Sequence, residues 1–125
     1  LRGSGASIAT WFWGAADYAE RADVWPLDSR GELLAVIQIE SRRGVENIEE
    51  IASVPGIGAI FVGPADLSLS YGNPGSRDDP EIAAAMRKVL GVCKARNIPC
   101  GLTTSQETVA EYLAEGYSFV TVGFW

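Results

Sequence analysis

Glu40 and Asp66 stand where two successive apolar runs stop, and they are the first residues of this chain that could do chemistry. One run reads Leu33-Leu34-Ala35-Val36-Ile37-Gln38-Ile39-Glu40, the other Ile57-Gly58-Ala59-Ile60-Phe61-Val62-Gly63-Pro64-Ala65-Asp66. As neighbouring parallel strands about 4.8 Å apart, they would release both carboxylates at one end of a sheet, where a hard cation could bridge them. Strand alternation puts Val36, Gln38 and Glu40 on one face, so an amide and a carboxylate project together from an otherwise greasy strand. A lone Glu there would be satisfied by backbone groups, or by Arg42 or Arg43. The second acid at a matching end favours a shared metal ion, because a buried carboxylate without a cation is costly.

Gly63-Pro64-Ala65-Asp66-Leu67 sets a conformationally free residue, a rigid one and a small one just ahead of the acid. The N–H groups of Ala65 and Asp66 could receive an anion such as a carboxylate, as helix starts and backbone nests do. The plainer alternative is that Asp66 caps the turn that follows. Lys88 and Lys94 fall on a long helix away from strand ends, which disfavours an imine-forming lysine. Cys93 and Cys100 are too widely spaced for a CxxC motif and read as buried reduced thiols, and Met86 as core filler.

The elements that must position these groups alternate strand and helix. After an irregular lead-in over residues 1–32, rich in Gly and aromatics from Gly3 to Trp25, a strand is expected at Leu33 to Ile39, buried on both faces. A helix follows at Val45 to Ser53, then a strand at Ala59 to Val62 and a short helical turn through Leu67 to Ser70. Asp79-Pro80 starts a helix to Arg96. A strand spans Ile98 to Leu102, a helix Ser105 to Glu115 opens on a Thr104/Glu107 capping box and stops at Gly116, and a strand covers Phe119 to Val122. The fold class is therefore α/β: about four parallel strands with intervening helices, half of an eight-stranded TIM-type (β/α)8 barrel, whose chemistry sits at C-terminal strand ends. An open doubly wound sheet satisfies the same element order.

Composition narrows the function. At 125 residues, 47% hydrophobic and 21% charged, the chain fits one folded domain. A net charge of −6, with no basic block longer than a pair such as Arg42-Arg43, disfavours nucleic acid and anionic membranes as partners; that arginine pair reads as a solvated loop. No run reaches the ~18 apolar residues of a membrane span and no signal design opens the chain, so a cytoplasmic protein is expected. A start on Leu1 and a stop on Trp125 directly after a strand suggest a piece of something longer.

These motifs resemble the C-terminal half of an HpcH/HpaI-type aldolase, the class II, metal-dependent pyruvate aldolases. The likeness rests on Gln38-Ile39-Glu40, Gly44-Val45-Glu46-Asn47, Gly63-Pro64-Ala65-Asp66-Leu67 with Gly72, and then Gly101 and Gly116, over about residues 33–123. It implies that Glu40 and Asp66 ligate Mg²⁺ or Mn²⁺, and that Gln38 and the Ala65-Asp66 backbone contact the pyruvate unit. Thr103 joins that substrate pocket, where relatives often carry an apolar residue. The implied reaction is reversible cleavage of a 4-hydroxy-2-oxo acid to a 2-oxo acid and an aldehyde, in a homo-oligomeric enzyme.

The general base, a histidine, and a substrate-binding arginine come from the N-terminal half in such enzymes. This chain has no histidine, and neither Arg2 nor Arg30 matches that arginine. No catalytic residue is therefore identifiable within it, and the chain alone is expected to be inactive or nearly so. Two alternatives stand beside this reading: a citramalyl- or malyl-CoA-type lyase, and a non-catalytic half-barrel interaction module.

Overall fold

The computed structural model describes residues 24–31, 33–75 and 79–123. Two short strands, β1 (Val24–Trp25) and β2 (Leu33–Leu34), pair in parallel. A four-stranded sheet follows, made of β3 (Val36–Ile39), β4 (Ala59–Val62), β5 (Cys100–Thr104) and β6 (Phe119–Val122). Its strands are all parallel and lie in chain order. Helices α1 (Arg42–Glu46) and α2 (Ile48–Ala52) connect β3 to β4, α3 (Pro64–Ser70) and α4 (Pro80–Ala95) connect β4 to β5, and α5 (Val109–Glu115) connects β5 to β6. A doubly wound sheet would reverse its strand order at a switch point; the unreversed order is that of half a (β/α)8 barrel.

One face of the sheet carries the core. Ile39, Ile60, Val62, Cys100 and Leu102 meet Ile82, Ala85, Met86, Val89 and Cys93 of α4 in one buried cluster. That helix starts where expected: the Asp79 carboxylate accepts from the Glu81 N–H at 2.8 Å and Pro80 needs no acceptor. Met86 is core filler as read, and Cys93 and Cys100 are buried free thiols. Among the described residues, no helix is long and apolar enough to cross a membrane.

Several boundaries differ from expectation for identifiable reasons. The first strand breaks at Ala35, whose carbonyl accepts from the N–H groups of both Gly58 and Ala59, and the residues on either side join different sheets. It is not buried on both faces either. Ile39 is 2% exposed but Val36 is 40% exposed, because helices cover only the Ile37/Ile39 side. Two short helices, α1 from Arg42 and α2 ending at Ala52, replace the one expected at 45–53; they part at Asn47 (φ −94°, ψ 12°), and Ser41 caps the first through a 3.1 Å bond from the Gly44 N–H. Within the irregular lead-in, Val24–Trp25 is a strand; Arg2 and the Trp11-Phe12-Trp13 cluster lie outside the described residues.

The third sheet strand is shifted two residues onward, since Ile98 still serves the end of α4 through its N–H bond to the Cys93 carbonyl. The Thr104/Glu107 box does not form. The Thr104 hydroxyl pairs with Thr108 at 2.8 Å, Glu107 pairs with the Ser105 hydroxyl, and the helix begins only at Val109. Its end at Gly116, with φ +110°, and the strand Phe119–Val122 are as expected.

Candidate active site

The face of the sheet away from the helices holds the residues singled out for chemistry. Register places Gln38, Phe61, Gly101 and Phe119 side by side, and Thr103 beside Thr121. Glu40 and Gly63 fall two residues beyond Gln38 and Phe61, in the row of the two threonines. Direct geometry agrees. A methyl group added at Gly63 would lie 3.2 Å from Glu40 Cβ, 3.3 Å from Glu40 Oε2 and 3.0 Å from Gln38 Nε2.

Gln38 and Glu40 are not left to backbone groups or to the neighbouring arginines. Gln38 Nε2 donates to Glu40 Oε2 at 2.8 Å, which fixes one carboxylate oxygen and leaves the other available. Arg42 is engaged elsewhere; the arginine pair is exposed as read, but it opens α1 and is not a loop. The Arg42 guanidinium donates to Glu81 at 3.0 Å and lies 4.0 Å over the Tyr71 ring, while its backbone N–H donates to Ser70 Oγ at 2.9 Å.

Helix α3 delivers the second acid. The Gly63 N–H bonds back to the Ile39 carbonyl, and the first helical bond runs from the Leu67 N–H to the Gly63 carbonyl. Pro64 has no N–H, so the N–H groups of Ala65 and Asp66 are the donors left without a helical acceptor. Asp66 lies in the first turn, where the helix dipole favours a carboxylate, yet it does not cap that turn: the N-cap is Gly63. Among the described residues, no cation pairs with Glu40 or Asp66.

Gln38, Phe61, Gly63, Pro64, Ala65, Asp66 and Thr103 line one cleft of about 360 Å³. Every residue read as substrate-binding, Gln38, Ala65, Asp66 and Thr103, is on its wall, and Glu40 is tied to that wall through Gln38. Among the described residues, no three His, Cys, Asp or Glu side chains gather as a metal cluster. Two carboxylates with open coordination positions suit a hard cation that keeps water or substrate oxygens, which is how Mg²⁺ commonly binds. Lys88 and Lys94 are remote from the cleft on α4, and Lys94 donates to the Glu115 carbonyl.

Two supports escaped sequence reading. Ser68, fully buried, donates to the Ala65 carbonyl at 2.7 Å and accepts from the Gly75 N–H at 3.1 Å. Ser70 ties the segment after Glu40 to the helix of Asp66. The only sequence signal for either was a serine on each side of Leu69 in an otherwise apolar turn.

Comparison with known proteins adds an independent line. The family model for HpcH/HpaI aldolase/citrate lyase matches residues 6–125. A hydroxypyruvate/pyruvate aldolase of Sagittula stellata is 37% identical over 98% of this chain and 46% of its own length. A 5-keto-4-deoxy-D-glucarate aldolase of Citrobacter koseri is 38% identical over 76% of this chain and 37% of its own. A crystal structure of an HpcH/HpaI aldolase/citrate lyase family protein from Burkholderia cenocepacia superposes with a TM-score of 0.77 at 31% identity. It covers 98% of this chain and 46% of that one. The chain thus spans less than half the length of each of these three relatives.

Proposed function

The chain belongs to the HpcH/HpaI aldolase/citrate lyase family, and on that footing we propose that it carries the cation and 2-oxo acid sites of a divalent-metal-dependent aldolase. The reaction is reversible cleavage of a 4-hydroxy-2-oxo acid, at its C3–C4 bond, to pyruvate or a related 2-oxo acid and an aldehyde. Relatives named as aldolases of pyruvate, hydroxypyruvate and 5-keto-4-deoxy-D-glucarate support that class of substrate. The observation that carries the reading is the convergence on one cleft of Gln38, which holds the Glu40 carboxylate beside it, the Asp66 carboxylate and the two unclaimed N–H groups of α3.

Glu40 and Asp66 would hold Mg²⁺ or Mn²⁺, with Gln38 orienting the Glu40 carboxylate. When bound, such an ion supplies Lewis-acid stabilisation of the negative charge that develops on the 2-oxo acid's carbonyl oxygen. The N–H groups of Ala65 and Asp66 receive the substrate carboxylate, and Phe61 and Thr103 bound the carbon chain and limit water at the reacting carbons. Proton transfer at the C4 hydroxyl is not supplied from here, since the chain has no histidine. Losing a positioned base costs about 10²–10⁴-fold, so the isolated chain turns over poorly. Homo-oligomeric assembly in the cytoplasm belongs to the same proposal. A CoA-thioester lyase fits less well, because Arg42, half of the basic pair that follows Glu40, is committed to Glu81 and Tyr71.

The test is aldol formation by the full-length protein from pyruvate and an aldehyde with Mg²⁺ or Mn²⁺, with and without a chelator. Activity should vanish on chelation and return with added metal. Product formation indifferent to the chelator would overturn the role given to Glu40 and Asp66.

A further inference from the structure

Thr103, on the wall of the cleft, carries a hydroxyl to which the proposed chemistry gives no polar role, and that hydroxyl is paired with one on the next strand. Thr103 Oγ1 and Thr121 Oγ1 are 3.0 Å apart, at paired positions of β5 and β6. Each hydroxyl offers one donor and two acceptor sites, so their mutual bond leaves one donor and three acceptor positions unspent. Between them and Glu40 lies Gly63, which has no side chain, so the row reads carboxylate, gap, hydroxyl, hydroxyl.

The floor beneath is apolar. The Phe61 and Phe119 rings meet edge to face with centroids 5.7 Å apart, and Gly101 between them admits no side chain, because a methyl there would strike the Phe119 carbonyl. Two strand spacings of about 4.8 Å separate the Gln38/Glu40 strand from that of Thr103. That is too far for the methyl of a pyruvate held at Gln38. It matches a carbon chain whose far end crosses Gly63.

Resting on the aldolase reading above, we infer that the Thr103–Thr121 pair selects an aldehyde partner bearing a hydroxyl of its own, so that the cleft takes hydroxylated aldols in preference to purely aliphatic ones. The apolar floor accepts the intervening carbons, and the threonine pair both donates to and accepts from the extra hydroxyl. An aliphatic chain in its place would leave those polar positions without partners.

The experiment compares glycolaldehyde with propionaldehyde, in which a methyl replaces the hydroxyl at nearly equal size. Both are added to pyruvate by the full-length protein with Mn²⁺. The C4 hydroxyl is common to both products, so the ratio of kcat/KM isolates the additional one. The ratio should favour glycolaldehyde by about tenfold, the net worth of about one hydrogen bond. It should collapse toward unity in Thr103→Val, fall partway in Thr121→Val and recover in Thr103→Ser. Turnover of both aldehydes with a ratio at or below unity, or one that Thr103→Val leaves unchanged, overturns the inference alone. Absence of product from both aldehydes with the unaltered protein overturns the aldolase reading and this inference with it.

Discussion

The backbone N–H of Arg42 donates to Ser70 Oγ at 2.9 Å, joining the segment that leaves Glu40 to the helix that begins near Asp66. The two acids are therefore held by a strand pair beneath them and a side-chain strap above. Ser70→Ala removes the strap and should cost about 0.5–1.5 kcal/mol of stability, the ordinary worth of one hydrogen bond. Its effect on Mn²⁺ binding should be larger in proportion, about tenfold, as for other groups that orient metal ligands. Calorimetric Mn²⁺ titration beside urea denaturation checks both; unchanged affinity would show that the strap does not set the acids' spacing.

Gly63 is the position where added bulk reaches the site without disturbing the backbone. Its φ of −98° is open to alanine, but a methyl there lies 3.0 Å from Gln38 Nε2 and 3.3 Å from Glu40 Oε2. Gly63→Ala should keep the fold, with thermal unfolding close to the parent, and lower aldol kcat/KM by about tenfold or more, since sub-ångström displacement of positioned groups is expensive in rate. An active variant would mean that the Gln38–Glu40 pair tolerates displacement.

Asp66→Asn and Glu40→Gln preserve shape while removing charge. Each should reduce kcat/KM by at least about 10²-fold, and raising Mn²⁺ should recover part of the loss if affinity is what suffered. Stability should barely change for Asp66→Asn, as an exposed carboxylate in a first helical turn contributes only about 0.3–1 kcal/mol. Steady-state kinetics across a metal series decide this; full activity in either variant contradicts its assignment as a ligand.

Tyr117 gives the fold an alkaline weakness. It is buried, donates to the Met86 carbonyl at 3.3 Å, and burial pushes its hydroxyl well above the usual tyrosine range. Its protonated form is thus favoured in the folded state. The stability this provides is complete below about pH 10, the unfolded value, and drains away as pH rises from there toward the folded one. Tyr117→Phe should be less stable at pH 8 by about 1 kcal/mol, yet lose less between pH 8 and pH 10.5. Urea midpoints at the two pH values test this, and parallel losses in both proteins would refute it.

What the sequence disclosed and what it withheld divide along the range of the interactions. The helix from Pro80 was legible because its cap, its proline and its apolar stripe are all local, and Phe119–Val122 because its turn signal, Gly116, stands close by. Strand-end and turn patterns pointed to Gln38, Ala65 and Asp66 at one end of the sheet, where they line one cleft, and Thr103, to which only the family likeness pointed, lies beside them; what each does there belongs to the proposed function. The partners of Arg42, Ser70 and Glu81, were missed because they lie 28 and 39 residues away, where no local pattern points. The Thr104/Glu107 spacing misled because Thr108, four residues on, competes for the same hydroxyl and wins. The break at Ala35 depends on which strand pairs with which, and that is decided only when the sheet assembles.

Ser68 has a consequence for engineering. Because its hydroxyl bridges the Ala65 carbonyl and the Gly75 N–H, the Gly72–Gly75 turn is coupled to the start of α3, whose amides are proposed to receive the substrate carboxylate. Diversifying that solvent-facing turn offers a way to retune substrate grip while every cleft-lining side chain stays as it is.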